Sequence, residues 1–176
     1  MLWDVASRRP LGPTSPRQMM GVTSVRFNPR GDALATGADD GTAQLWNLAR
    51  PGGPWTPHGA SLPATGSVEG LAFSPDGKIL AAATQATTID LWDTGTGQEI
   101  GQQLTGHTGS VTSVAFSPDG TLLAVGGADH TVRLWDVGLV SWTNRACAIA
   151  GRNFSAQERQ QHLGTVPYPS ACPALP

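Results

Sequence analysis

The chain has 176 residues, 39% hydrophobic and 14% charged, with 22 Gly and 14 Pro. A chain of that length buries about 70% of its unfolded surface, and this composition favours short strands and turns. Eleven basic against thirteen acidic residues leave a net charge of −2, which excludes the basic field that recruits nucleic acid. The opening Met1-Leu2-Trp3-Asp4-Val5 lacks the basic region and apolar core of a signal peptide, and no apolar run approaches the roughly 20 residues of a membrane span. The reading is a soluble, cytoplasmic chain without a membrane partner.

From Leu2-Trp3-Asp4 onward the sequence repeats. Val22-Thr23-Ser24-Val25-Arg26-Phe27 returns as Val68-Glu69-Gly70-Leu71-Ala72-Phe73 and as Val111-Thr112-Ser113-Val114-Ala115-Phe116. From first Val to Trp the distance is 24 residues each time, Val22 to Trp46, Val68 to Trp92 and Val111 to Trp135. Trp3, Trp46, Trp92 and Trp135 follow one another at 43, 46 and 43 residues, so a rigid unit is joined by loops of variable length.

Asn28-Pro29-Arg30-Gly31, Ser74-Pro75-Asp76-Gly77 and Ser117-Pro118-Asp119-Gly120 are turns, because Pro presets φ, Asp bonds nearby backbone and Gly accepts positive φ. Each predicts a hairpin. The second run of each unit, such as Leu122-Leu123-Ala124-Val125, is apolar on both faces, as in a strand sandwiched between sheets. A third strand alternates Val132 and Leu134 with Arg133 and Trp135, and a fourth, outer one is expected around Glu99 to Leu104. Each period is then a four-stranded antiparallel sheet.

After Val137 the period becomes helical. Trp142, Ala146, Ile149 and Ala150 make one apolar stripe, Ser155-Ala156-Gln157-Glu158 is a capping box, and a second short helix runs to about Leu163. Arg145, Arg152 and Arg159 fall on a solvated face. Pro167, Pro169, Pro173 and Pro176 make the remainder non-helical.

Leu134-Trp135-Asp136, preceded by Gly106-His107 and Ser117-Pro118-Asp119-Gly120, resembles the WD40 repeat, with Leu2-Trp3-Asp4, Leu45-Trp46-Asn47 and Leu91-Trp92-Asp93 as further copies. The resemblance implies an all-β fold: a partial WD40 β-propeller of about three to three and a half four-stranded blades, closed by a short α-helical cap. Residues 1–137 hold the repeats (a blade end at 1–5, then about 6–48, 49–94 and 95–137), and 138–176 form the tail. Propellers close with four to eight blades, so the expectation is an arc, the carboxy-terminal part of a longer chain. Self-association through its open blade edges is expected.

In that family a His, a turn Asp, a Ser or Thr and the Trp form a structural hydrogen-bond network inside each blade. The resemblance carries this onto Thr36, Asp40 and Trp46 in the first unit and His107, Asp129 and Trp135 in the third. Gln18 replaces the first His, Val125 the third hydroxyl, and Ala64, Ala82 and Ala86 leave Trp92 alone in the second. No nucleophile elbow, phosphate loop or metal-ligand spacing is present in the sequence, so no cofactor, metal or catalytic residue is expected.

Loops are where a propeller binds. Trp55 and His58, in the proline-stiffened connection from Ala49 to Ser67, are candidate contacts for a protein or peptide partner, as are Gly41 and His130 in the turns before the third strands. Ala146 through Asn153, with Tyr168-Pro169 and Cys172-Pro173, resembles the tail of WD40 regions in large bacterial signalling proteins with a STAND-type nucleotide-binding module. Cys147 and Cys172 either pair there or stay as buried thiols. The expected function is a noncatalytic interaction scaffold or sensor. Its rivals are a degenerate gene remnant and an enzyme with a site in the propeller channel.

Overall fold

The computed structural model describes residues 2–11, 21–48 and 55–138. The tail expected to be helical, Gln18, Cys147 and Cys172 lie outside them. Residues 1–135 and 136–176 form two compact units. Every regular element of the described residues is a strand.

A short hairpin pairs β1 (Leu2–Asp4) with β2 (Arg9–Leu11). Three larger antiparallel sheets follow, one per repeat. The first orders β3 (Val22–Phe27), β4 (Ala33–Ala38), β5 (Thr42–Leu48) and β6 (Trp55–Pro57), and β7 (Leu62–Pro63) also pairs with β5. The second orders β8 (Val68–Phe73), β9 (Ile79–Thr84) and β10 (Ile89–Asp93). The third orders β11 (Val111–Phe116), β12 (Leu122–Gly127) and β13 (Val132–Asp136).

The expected outer strand of the second sheet is reduced to two bridges, Ile89 to Leu104 and Trp92 to Glu99. Gly101, at φ 68°, turns the backbone out of the extended region between them. In the first sheet the outer edge instead comes from β6 and β7, so a segment of the second repeat completes the sheet of the first.

The turns follow their sequence. Ser74 Oγ donates to Asp76 Oδ1 at 2.7 Å and accepts Ile79 N at 2.9 Å, while Lys78 N donates to Asp76 Oδ1 at 3.1 Å. Ser117 and Asp119 repeat this with Leu122 and Thr121. In the first unit Asn28 takes the serine's place and reaches Asp32 instead, Nδ2 to Oδ1 at 2.6 Å. Gly31, Gly77 and Gly120 sit at φ 76°, 73° and 72°, which a β-carbon would strain.

Each inner strand carries a bulge at its second residue: Thr23, Glu69 and Thr112 fall where the register shifts. Bulges sharpen twist, and the first one directs the Thr23 hydroxyl to the neighbouring sheet. Thr23 Oγ1 donates to Gly37 O and to Val68 O of β8. A β-carbon on Gly37 would overlap the Val68 side chain. The core between the first and second sheets joins Ala35, Ala43, Leu45 and Leu62 to Val68, Leu71, Leu80, Ala82 and Trp92. β11 packs in the same way against β8 and β9.

Candidate functional site

The polar networks within the three sheets differ. In the first, Trp46 Nε1 donates to Thr36 Oγ1 at 2.8 Å, buried between strands. Asp40 holds its own turn, accepting Thr42 N at 3.0 Å and Thr42 Oγ1 at 2.6 Å. In the third, His107 Nδ1 donates to Asp129 Oδ2 at 3.0 Å, and Asp129 also accepts Thr108 N at 3.0 Å and Thr131 Oγ1 at 2.8 Å. The Thr108 N–H and the Thr131 hydroxyl hold the Asp129 carboxyl well below its ordinary value. His107 Nε2 and Trp135 Nε1 are buried without a partner. The residue at the position of Thr36 is Val125, which has no oxygen to offer either of them.

His107 and Asp129 therefore have the geometry of an oriented imidazole but not its access. The His107 side chain has no exposed surface, so it can neither take a proton from a substrate nor return one. Among the described residues no group of three His, Cys, Asp or Glu is placed to hold a metal ion.

The second sheet contains a network that sequence reasoning missed. Asp90, only 1% exposed, accepts Thr65 N at 2.9 Å and Thr65 Oγ1 at 3.1 Å through Oδ2. Thr65 Oγ1 lies 2.5 Å from Thr88 Oγ1 and 3.3 Å from Thr84 Oγ1, and Thr84 Oγ1 donates to Thr88 O at 3.0 Å. Thr65 sits where Thr108 sits in the third repeat. The same backbone N–H thus meets a carboxylate in both, supplied from the strand by Asp90 in one and from the turn by Asp129 in the other. Burial pushes the Asp90 carboxyl above its ordinary value. The available signal was Asp90 between Ile89 and Leu91, a carboxylate inside a strand with three threonines nearby in sequence.

The candidate contact residues part company. Trp55 is a core residue and not a loop tip: at 9% exposure it packs with Leu34 and Trp46, its ring 6.4 Å from that of Trp46 and edge-on at 64°. The sequence places it beside prolines, but it begins β6 and pairs with Leu48. Gly41 is covered by the following segment, accepting Ala64 N at 2.8 Å. His130 is exposed, with φ 63°. His58 lies 3.1 Å from Asn47 Oδ1 and lines a cavity of about 660 Å³ between the first two sheets, at their turn end. Arg30, Asp32, Asp76, Lys78 and Asp93 ring it, with Leu45 and Phe73 in its wall.

The family model for the WD domain, G-beta repeat, matches residues 16–47, 56–93 and 98–136. The chain belongs to the WD40 family. Its WD40 relatives include the periodic tryptophan protein 2 homolog of Schizosaccharomyces pombe, 33% identical over 78 residues, or 44% of this chain and 9% of that one. The guanine nucleotide-binding protein subunit beta of Arabidopsis thaliana is 33% identical over 113 residues, covering 60% of this chain and 29% of the relative. The solved structure of U3-55K superposes with a TM-score of 0.63 at 23% identity, covering 69% of this chain and 38% of that one, which shows the shared WD40 fold. The chain spans under a third of the length of these curated relatives.

Proposed function

We propose that this WD40 chain is a noncatalytic protein-interaction module of scaffold or sensor type. The observation that carries the proposal is the enclosure of its catalytic-looking pair: His107 and Asp129 are spent inside one sheet, while chemically varied side chains ring the open cavity at Arg30, His58 and Lys78. Relatives whose names make them subunits of larger assemblies, a G-protein subunit beta and a chromatin assembly factor subunit, support that reading. A protein or peptide that meets this rim would find two cations, three carboxylates and an apolar wall. The test is capture of partners from the source cell by the chain and by a double variant, Arg30→Glu with Lys78→Glu. Binding lost in the variant is the expected result. A hydrolytic activity that disappears with His107→Ala would sink the proposal.

The finer proposal places this module in the cytoplasm as the carboxy-terminal part of a larger bacterial regulatory protein. Its support is the resemblance of Ala146–Asn153 and Cys172-Pro173 to STAND-protein tails; the relatives named above are eukaryotic. Sequencing the locus is the test, with an upstream in-frame nucleotide-binding module expected and a stop codon immediately upstream refuting it.

A further inference from the structure

Between β7 and β8 the chain crosses from the first sheet to the second over residues 64–67, which belong to no strand. At one end Ala64 N donates to Gly41 O at 2.8 Å, and at the other Gln85 N donates to Ser67 O at 2.9 Å. Gly41 belongs to the turn between β4 and β5 and Gln85 to the turn between β9 and β10, so this short segment straps two sheets together. The carbonyl oxygens of Ala64 and Gly66 lie 3.5 and 3.4 Å from where a β-carbon on Gly41 would stand, and a β-carbon on Gly66 would stand 3.3 Å from that of Ala86.

The middle of the strap rests on Asp90. Both bonds to Asp90 Oδ2 come from Thr65, and Oδ1 receives only the Thr65 hydroxyl at 3.4 Å. An ionised carboxylate has about four acceptor sites, so one residue satisfies it poorly, and at 1% exposure bulk water does not make up the difference. Among the described residues no cation is bonded to Asp90. Its partner across the sheet is Ala82, and the polar neighbours gathered around Thr65 are Thr84 and Thr88. The charged groups beside the strap are Asp39 and Asp40 in the turn of the first sheet and Glu69 in β8, all carboxylates. Ser67 Oγ meets Asp39 at 3.3 Å and Glu69 at 3.4 Å.

The strap is therefore the route by which water can reach Asp90. β9 and β10 are paired along their length, whereas residues 64–67 are held by the bonds just named. Burial raises the free energy of the charged carboxylate and not of the neutral acid, and it outweighs the Thr65 bonds, leaving the Asp90 carboxyl above its ordinary value. A proton on Asp90 thus favours the closed strap over an open one, and by reciprocity its loss favours opening.

We infer that residues 64–67 are a pH-sensitive strap pinned on Asp90: it lies closed while Asp90 carries its proton and lifts from the seam between the first two sheets once Asp90 is charged. The device sits at the opposite ends of the strands from the cavity and stands apart from the interaction reading.

Relaxation dispersion of backbone nitrogen-15, which sees exchange on the microsecond to millisecond scale, tests this on the whole chain as the pH is raised from acid to neutral. The expected result is an open fraction at Thr65, Gly66 and Ser67 that is smallest in acid and grows by up to about tenfold per pH unit as Asp90 ionises, since one proton is linked to opening. Asp90→Asn, which keeps an oxygen for Thr65 N and carries no charge, is expected to hold the strap closed at every pH. Thr108, at the same place in the third repeat but bonded to Asp129 from the turn, is expected to show no such growth. An open fraction that ignores pH, or one that grows equally in Asp90→Asn, overturns the inference. So does one shared by Thr108 and by β9 and β10, because it would report the opening of whole sheets.

Discussion

His107 and Asp129 make the two-residue arrangement that orients imidazoles in enzymes, yet here it ends in a dead space. His107 Nε2 and Trp135 Nε1 are stranded because Val125 stands where the first sheet has Thr36, whose hydroxyl takes the indole proton of Trp46. Val125→Thr is expected to give Trp135 an acceptor and to stabilise the chain by about 1 kcal/mol, read as a higher urea midpoint at unchanged slope. Thr36→Val should do the reverse in the first sheet. The Asp129 and Asp90 carboxylates have opposite signs of pH dependence. Asp129 has a lowered pKa, so its contribution is present above the ordinary carboxylate value of 3.8 and is lost as pH falls towards the depressed one. Asp90 has a raised pKa, so its contribution favours the fold below 3.8 and is withdrawn as pH rises through the folded-state value. Asp90→Asn, which keeps the shape and removes the charge, should therefore gain melting temperature relative to wild type between pH 3 and pH 7. A difference that stays flat across that range would refute the desolvated carboxylate.

Strands and turns were legible in the sequence because each is written in local chemistry. Ser74-Pro75-Asp76-Gly77 specifies its own hydrogen bonds, and the twofold alternation of β13 places Leu134 and Trp135 on opposite faces. The third-strand turns show what local reading misses. Gly41, Thr87 and His130 occupy one equivalent position at φ 76°, 69° and 63°, and a β-branched Thr in the left-handed region is strained by about 1–2 kcal/mol. Thr87→Gly should raise stability by about 1 kcal/mol, checked by chemical denaturation, whereas Gly41→Thr should lower it. Trp55 was misjudged because its prolines signal a loop, while the signal for β6 is an edge of the first sheet lying nine residues upstream at Trp46. The Asp90 network was hidden for a related reason: its carboxylate came from a strand position where the other two repeats carry Gln44 and Arg133. Close approach between sheets is also non-local. Gly37 has an ordinary sequence context, but a side chain there would meet Val68, so Gly37→Val is expected to destabilise by about 1–3 kcal/mol.

At the scale of the whole molecule, stability is a sum over neighbouring layers, because the second sheet touches the first on one side and the third on the other. The repeat period made that architecture readable, and 24 residues from Val to Trp in every unit kept the layers congruent. What the period could not convey is which layer is strongest, since that depends on how many faces are covered. The second sheet has Val68, Leu71, Leu80, Ile89, Leu91 and Trp92 all buried, with the first sheet on one side and β11 on the other. In deuterated buffer its amide protons should be the last to be replaced. Those of β9 and β10 would persist while β3 and β13 have already exchanged, so that the order of isotope uptake along the chain mirrors the order in which its layers open.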